Sequence, residues 1–235
     1  MSANVVLGAG GPTGAECVKR LLEVTRDPVR AVVRDPSKYA EAFPKDARLQ
    51  VVAGDVTDKT SLTKAFEGAK GVIFAASGRG YWSANAVDYE GVVNTAEAAK
   101  AAGSVGRVVL VSSMLSDPAN RFHPVRVLLN NIRWSLMDYK FKGEEALKAS
   151  GVGWTVVRPG GLTTGERGKN VIVADKDVTR EVGMGSIPRA DVAAVCVAAL
   201  ASPAAVGAKF SVYCRKKPEE PLEGDYGAHV ASLFG

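Results

Sequence analysis

At 235 residues, 46% of them apolar and 23% charged, the chain suits a single domain (1–235) with a large core, and it is too apolar to stay disordered. A formal charge of +5 favours anionic small molecules or an acidic protein partner, and its diffuse spread argues against nucleic acid. No apolar run reaches the ~18–20 residues of a membrane span, and Cys17, Cys196 and Cys214 are scattered without a CxxC, as reduced thiols in a reducing compartment are. The first apolar run begins within a few residues of Met1, which leaves no room for a signal peptide, and a removed transit peptide would leave no trace.

The chain opens on "NVVLG" (4–8), a buried strand, and then places Gly8, Gly10, Gly11 and Gly14 within seven positions. Ala15, Val18, Leu21 and Leu22 follow at helical spacing, predicting a helix over 13–24. A strand, a bare turn and a helix N-terminus form an anion site, because free backbone N–H groups and the helix dipole point the same way. The spacing is read either as Gly8-Gly10 or as GxxGxxG through Gly8, Gly11 and Gly14, with Pro12 and Thr13 inside the turn. No lysine follows Gly14, which argues against a nucleoside-triphosphatase loop, while a turn that only packs helix on sheet is the bland alternative.

The next strand, 29–34, ends at Arg34. An acidic residue there suits the ribose hydroxyls of NAD(H) and a basic one the 2′-phosphate of NADP(H), so Arg34, seconded by Lys38, points to NADP(H) in spite of the adjacent Asp35. Strand 49–55 ends in "GDVTD": Asp55 is placed to accept from an adenine amino group and Val56 to pack on the ring, while Thr57 and Asp58 can cap a helix at 58–67. Strand 71–77 ends in Ala75, Ala76 and Ser77, small residues that let a ribose lie against the backbone. After a helix at 84–102, strand 107–113 ends in Ser112 and Ser113, where a catalytic hydroxyl belongs.

The segment 121–142 is basic and apolar together, with Arg126, Arg133 and Lys140 every seven residues. It reads either as a membrane-surface segment or, preferably, as a substrate-side segment whose apolar face packs inward with solvated cations outside. A helix at 138–150, a strand at 154–160, a flexible loop at 158–170 closing over the site, a helix at 189–201 favoured by Asp191 at its start, and a strand at 208–213 complete the chain. His123 and His229 are too far apart for a metal pair, and no GxSxG elbow supports a serine triad. Near-continuous apolar strands alternating with helices mean an α/β doubly wound parallel sheet, with a small C-terminal substrate lobe and with 114–137 and 158–188 as substrate-side loops.

In their order and spacing, GxxGxxG at 8–14, "GDVTD", "FAAS", the Asn94 helix "YEGVVNTAEAAKAAG", "VVLVSS" and "WTVVRPGGL" resemble the atypical short-chain dehydrogenase/reductases, the NmrA-like or NAD(P)H-binding group. "IPRADVAAVCVAAL" resembles the plant and algal members, and the likeness runs through about residues 4–213. The resemblance implies a Rossmann-type fold with Gly8, Gly11, Thr13 and Gly14 at the pyrophosphate and Arg34 at the 2′-phosphate. It puts Asp55 and Val56 at the adenine, Ala75, Ala76 and Ser77 at the ribose, and Pro159, Gly160, Gly161 and Leu162 at the nicotinamide. Many relatives carry an arginine just after the second glycine, where this chain has Pro12.

The catalytic pair departs from the family. In YxxxK the lysine lowers the tyrosine pKa and holds the ribose. Here Lys140 takes the lysine position, opposite Glu144, and Leu136 stands where tyrosine belongs; Tyr139 precedes Lys142 by three, which fits no version of the pair. Tyr81, in "SGRGYWSAN", is the substitute proton donor, with Ser113 as the hydroxyl. The implied function is an NADP(H)-dependent oxidoreductase acting on a small carbonyl, enone or quinone. The alternative, which Leu136 favours, is a non-catalytic NADP(H) sensor or assembly protein, as some chloroplast relatives are. The implied location is the chloroplast stroma in a photosynthetic source and the cytoplasm otherwise.

Overall fold

The computed structural model describes residues 2–39, 41–176, 178, 185–215 and 226–234. The first half alternates β1 (Ala3–Leu7), α1 (Pro12–Val24), β2 (Val29–Val33), β3 (Leu49–Ala53), α2 (Lys59–Ala65), β4 (Ala69–Phe74), α3 (Gly91–Ala102) and β5 (Arg107–Val111). The second half adds α4 (Pro124–Ile132), α5 (Leu136–Ala149), β6 (Trp154–Pro159), β7 (Gly161–Thr163), β8 (Val171–Lys176), β9 (Ser186–Pro188), α6 (Arg189–Ala201), β10 (Ala208–Arg215) and α7 (Tyr226–Ser232).

Seven strands run parallel in the order β3-β2-β1-β4-β5-β6-β10. The apolar strands are sealed on both faces: Val6 of β1 joins the layer under α1 and α6, while Val5 and Leu7 join the opposite layer with Leu62 of α2, Val92 of α3 and Leu147 of α5. β1 lies between β2 and β4, so the strand order reverses there and opens a crevice at the carboxyl ends of β1 and β4. Beyond the parallel strands, β8 and β9 pair antiparallel with β10, and β7 pairs with β9, so the C-terminal strands extend the same sheet.

Three arginines fasten the other ends of the helices. Arg30 donates to Ala65 O and Glu67 O after α2, Arg48 to Leu22 O and Thr25 O at the end of α1, and Arg107 to Ala199 O and Ser202 O at the end of α6. Each guanidinium meets carbonyls that have no partner within the helix and carry its negative dipole end.

The structure corrects the sequence expectations in three places. The helix foreseen over 84–102 begins as a π-helical stretch, Asn85–Glu90, which runs directly into α3 and places Asp88 inward. Segment 121–142 departs in part: Val125, Leu129, Leu136 and Met137 pack inward and Arg121 is exposed, but Arg126 is buried and Lys140 nearly so, while Val127, Leu128, Ile132 and Trp134 are exposed. Arg126 points in because it binds the carbonyls of Leu115, Ser116 and Asp117 at 2.5–2.6 Å and Asp138 at 2.6 Å, organising the loop after β5. Loop 158–170 contains β7 and is tied down by Arg167 to Glu23 of α1 (2.8 Å) and by the Gly168 N–H to Asp191 (3.0 Å). Residues 177 and 179–184 of the expected substrate loop 158–188 lie outside the described residues.

Candidate cofactor and substrate site

The glycine turn joins β1 to α1 at the crevice. Gly8 has φ +72°, and a side chain there would come within 2.7 Å of the Ala76 backbone, so the carboxyl ends of β1 and β4 approach as closely as they do only through glycine. Gly14 packs against the Gly8 carbonyl, and the Tyr39 ring lies over Gly10. Of the four glycines of the turn, only Gly8 uses a positive φ. Gly11 is extended (φ −86°, ψ 161°) and N-caps α1; a Cβ on it would meet only Gly8 O at 3.3 Å and Arg79 Nη2 at 3.9 Å.

Pro12 occupies the first helical position, where a missing N–H costs nothing, and the N–H groups of Thr13 and Gly14 belong to the unpaired first turn. No acidic residue stands in that turn to compete with an anion. Open space ahead of Gly11, aligned donors and the guanidinium of Arg79 together fit a pyrophosphate. Arg79 was not foreseen; its signal was a lone cation two residues past the small residues ending strand 71–77, in "SGRG".

Arg34 is exposed just beyond β2 and has no ion-pair partner among the described residues. Its neighbour Asp35 is occupied by the Ser37 hydroxyl (2.6 Å), the Ser37 N–H (3.1 Å) and Lys38 (3.4 Å), contacts that hold its carboxyl below the usual range, the Ser37 hydroxyl foremost. Lys38 is therefore engaged with Asp35. After β3, Asp55 accepts from the N–H and hydroxyl of Thr57, both at 2.9 Å, and it is Asp58 that caps α2 through Thr60 N. Val56 is buried against Gly91, its carbonyl bound by Asn94 at 3.0 Å. Ala75 and Ala76 are half-buried and Ser77 exposed at the end of β4.

On the substrate side, Lys140 pairs with Asp88 at 2.9 Å, and the other oxygen of Asp88 accepts from Gly78 N at 2.9 Å. The π-helical stretch thus connects the lysine to the loop after β4. Leu136 is buried with Ala84, Leu115 and Met137. Tyr81 is engaged in an exposed aromatic group, 4.7 Å from Trp82 and 5.7 Å from Trp134 between ring centroids. Tyr139 packs on the Leu136 cluster with the Lys142 ammonium 5.0 Å from its ring.

Ser112 turns inward and donates to Glu144, while Ser113 stays half-buried at the end of β5. Fully buried Glu144 also accepts from Ser116 (2.7 Å) and from Arg158 (2.6 Å), and Asp117 lies 3.5 Å from Arg158 and 3.7 Å from Lys209. This network braces β5, α5, β6 and β10 beneath the site. Gly160 abuts the Gly185 carbonyl and Met114, Gly161 N–H donates to Gly185 O at 2.9 Å, and Pro159 is buried while Leu162 is exposed on β7. Asp191, buried in the first turn of α6, serves loop 158–170 through Gly168.

Comparison with known proteins bears on the family and the fold. The chain is 36% identical over 203 residues to an uncharacterized chloroplastic protein of Arabidopsis thaliana, covering 83% of this chain and 70% of that one. It is 30% identical over 233 residues to sanguinarine reductase of Eschscholzia californica, covering 82% of each. Among solved structures, the oxidoreductase ylbE from Lactococcus lactis superposes with a TM-score of 0.79 at 21% identity, over 98% of this chain and 96% of that one. With its residues 8–203 matching the NAD(P)H-binding family and its glycine turn seated at the reversal of strand order, the chain belongs to that NAD(P)H-binding family.

Proposed function

We propose that the protein is an NADP(H)-dependent reductase whose acceptor is a quinone or an enone. The observation that carries the cofactor half is Arg34, exposed and without an ion-pair partner among the described residues while Asp35 beside it is occupied. Gly8, Gly11, Thr13 and Gly14 would seat the pyrophosphate, Arg79 would stand over it, and Ala75, Ala76 and Ser77 would line the ribose. Lys140, Pro159, Gly160, Gly161 and Leu162 face the nicotinamide end in this reading. NADPH bound there supplies a hydride.

The acceptor class follows from which side chains can give a proton. Leu136 is buried where the family's tyrosine belongs, Tyr81 is stacked among tryptophans, and Lys140 is engaged with Asp88. A simple ketone reduced without an acid leaves an alkoxide, about as basic as hydroxide (water pKa about 16). A quinone or enone leaves a delocalised phenolate-like oxygen, with a phenol pKa of about 10, so the anion forms without a proton given in the same step and is protonated from solvent afterwards. The test is NADPH consumption against a panel of quinones, enones and simple carbonyls after cofactor titration. Turnover confined to the conjugated acceptors, unchanged in Tyr81→Phe, supports the reading; efficient reduction of a simple aldehyde refutes it.

The same missing acid favours one second reading, a non-catalytic NADP(H) sensor or assembly protein. Saturable NADPH binding with no consumption by any acceptor decides for it. A chloroplast location, as in the Arabidopsis relative, is part of the proposal if the source is photosynthetic.

A further inference from the structure

Seven large apolar side chains crowd two neighbouring segments and stay in solvent. Trp82 is 70% exposed, Phe122 81%, Leu128 56% and Ile132 57%, with Tyr81, Val127 and Trp134 each above 40%. Trp82 and Trp134 are 4.9 Å apart between ring centroids, which joins the loop after β4 to the end of α4. Leu128 and Ile132 lie one helical turn apart, and Val125 and Leu129 pack inward on the Leu136 cluster, so α4 shows a second apolar face to solvent. Trp134 and Ser135 take positive φ, 33° and 56°, a strained backbone that glycine would relieve and that this chain keeps for an exposed tryptophan.

The carboxylate beside these side chains, Asp138, has its side chain 45% exposed but is held by Arg126 and Asn130, and the other charges nearby are cationic. Residues 77–84 and 118–137 contain Arg79, Arg121, Arg126 and Arg133 and no aspartate or glutamate. Arg126 is spent inside and Arg79 reaches the glycine turn, but Arg121 is exposed, its guanidinium 4.8 Å over the Phe122 ring. Tryptophan, phenylalanine and leucine with arginines, and with a single carboxylate that is already paired, make a surface that enters the headgroup layer of an anionic bilayer. No helix among the described residues is long and apolar enough to cross a membrane, so the contact is interfacial.

We infer that α4 and the Tyr81-Trp82-Trp134 cluster form a docking face for an anionic lipid surface. The inference stands whether or not the site turns over a substrate. It places the carboxyl-end loops, where the cofactor turn lies, toward the bilayer.

The experiment uses the full chain with vesicles of phosphatidylcholine, with and without phosphatidylglycerol, read by co-sedimentation and tryptophan emission. Of the three tryptophans, Trp82 and Trp134 lie on the face, while Trp154 packs in the core with Lys148 5.7 Å from its ring. Binding to the anionic vesicles only, weakened by salt and accompanied by a blue shift, is expected. Arg121→Glu changes two charge units, each worth about fivefold at such a surface, so affinity should fall about 25-fold. Leu128→Asp, at an exposed position that the fold does not need, should abolish the blue shift while circular dichroism stays unchanged. Three results overturn the inference: equal binding to neutral vesicles, binding indifferent to Leu128→Asp, or no vesicle binding with a self-association that Leu128→Asp dissolves.

Discussion

Lys140→Met separates what the lysine does for the fold from what it does for the site. The substitution removes the ammonium 2.9 Å from Asp88, a carboxylate only 3% exposed, and leaves it a single donor, the Gly78 N–H. Taking one partner from a buried pair costs about 3–5 kcal/mol. The Lys140 side chain is itself 12% exposed, so water reaches the end of the pair and the lower figure applies. About 3 kcal/mol is roughly 150-fold in the folding equilibrium and, at about 2–4 °C per kcal/mol for a domain of this size, a Tm lowered by about 6–12 °C. Urea unfolding followed by circular dichroism, with an unchanged slope, measures it. Asp88→Asn added to Lys140→Met removes the stranded charge and should recover most of the loss. A single substitution costing under about 1 kcal/mol, or a double as unstable as the single, refutes the reasoning. NADPH affinity measured on both folded variants then tells the rest: loss in both means that the lysine itself reaches the cofactor, and recovery in the double means that it works by holding Asp88 and the Gly78 turn.

Arg34→Ala should remove most of a preference for NADPH over NADH, a loss of about 1.5–3 kcal/mol or roughly ten- to a hundredfold, with NADH affinity nearly unchanged. Equal affinity of the wild type for both cofactors, by fluorescence titration, would defeat that assignment. Gly11→Val should fold normally, because the position is extended and open, yet lose NADPH binding by filling the space ahead of α1; Gly8→Val, forced against Ala76 at a positive φ, should lose stability as well. Burial, with the Asp191 charge behind it, pushes the Cys214 thiol from 9.0 up to about 12. A native pKa raised in this way gives stability that is complete below pH 9 and declines from there toward pH 12. The urea midpoint of the wild type should therefore fall more steeply over that window than that of Cys214→Ser, and parallel curves would contradict it.

The candidate cofactor residues stand out in the sequence because they lie on short stretches of backbone. A strand, a glycine turn and a helix start are contiguous in the chain, and Arg34, Asp55 and Ala75-Ala76 each sit at the end of an apolar run that announces its own strand. What the glycine spacing does not reveal is which glycine needs its freedom: of the four in the turn only Gly8 takes a positive φ, while Gly11 is extended. Arg79 and Tyr39 escaped because they reach the turn from other strands, and nothing local marks a side chain that lies over a glycine brought to it by the sheet.

The side-chain network on the other side of the crevice is hidden from the sequence for the same physical reason inverted. Its residues pair across long separations: Asp88 with Lys140, Glu144 with Ser112 and Arg158, and Asp117 with Lys209. Helical periodicity places Arg126 and Leu128 on different faces of α4 but cannot say which face turns in, and hydropathy alone chooses the leucine. The loop after β5 decides otherwise, because three backbone carbonyls there, those of Leu115, Ser116 and Asp117, converge on one guanidinium. Burying Arg126 satisfies carbonyls that would be costly to leave unpaired, and it turns the aliphatic face outward. The exposed face of α4 is thus a consequence of how the fold holds the loop beneath its site. Leucine, isoleucine and tryptophan gathered in solvent in this way are the kind of apolar patch that marks an interaction surface. Replacing Arg126 with leucine therefore should not repair the helix by hydropathy; it should free the loop after β5 and loosen the site.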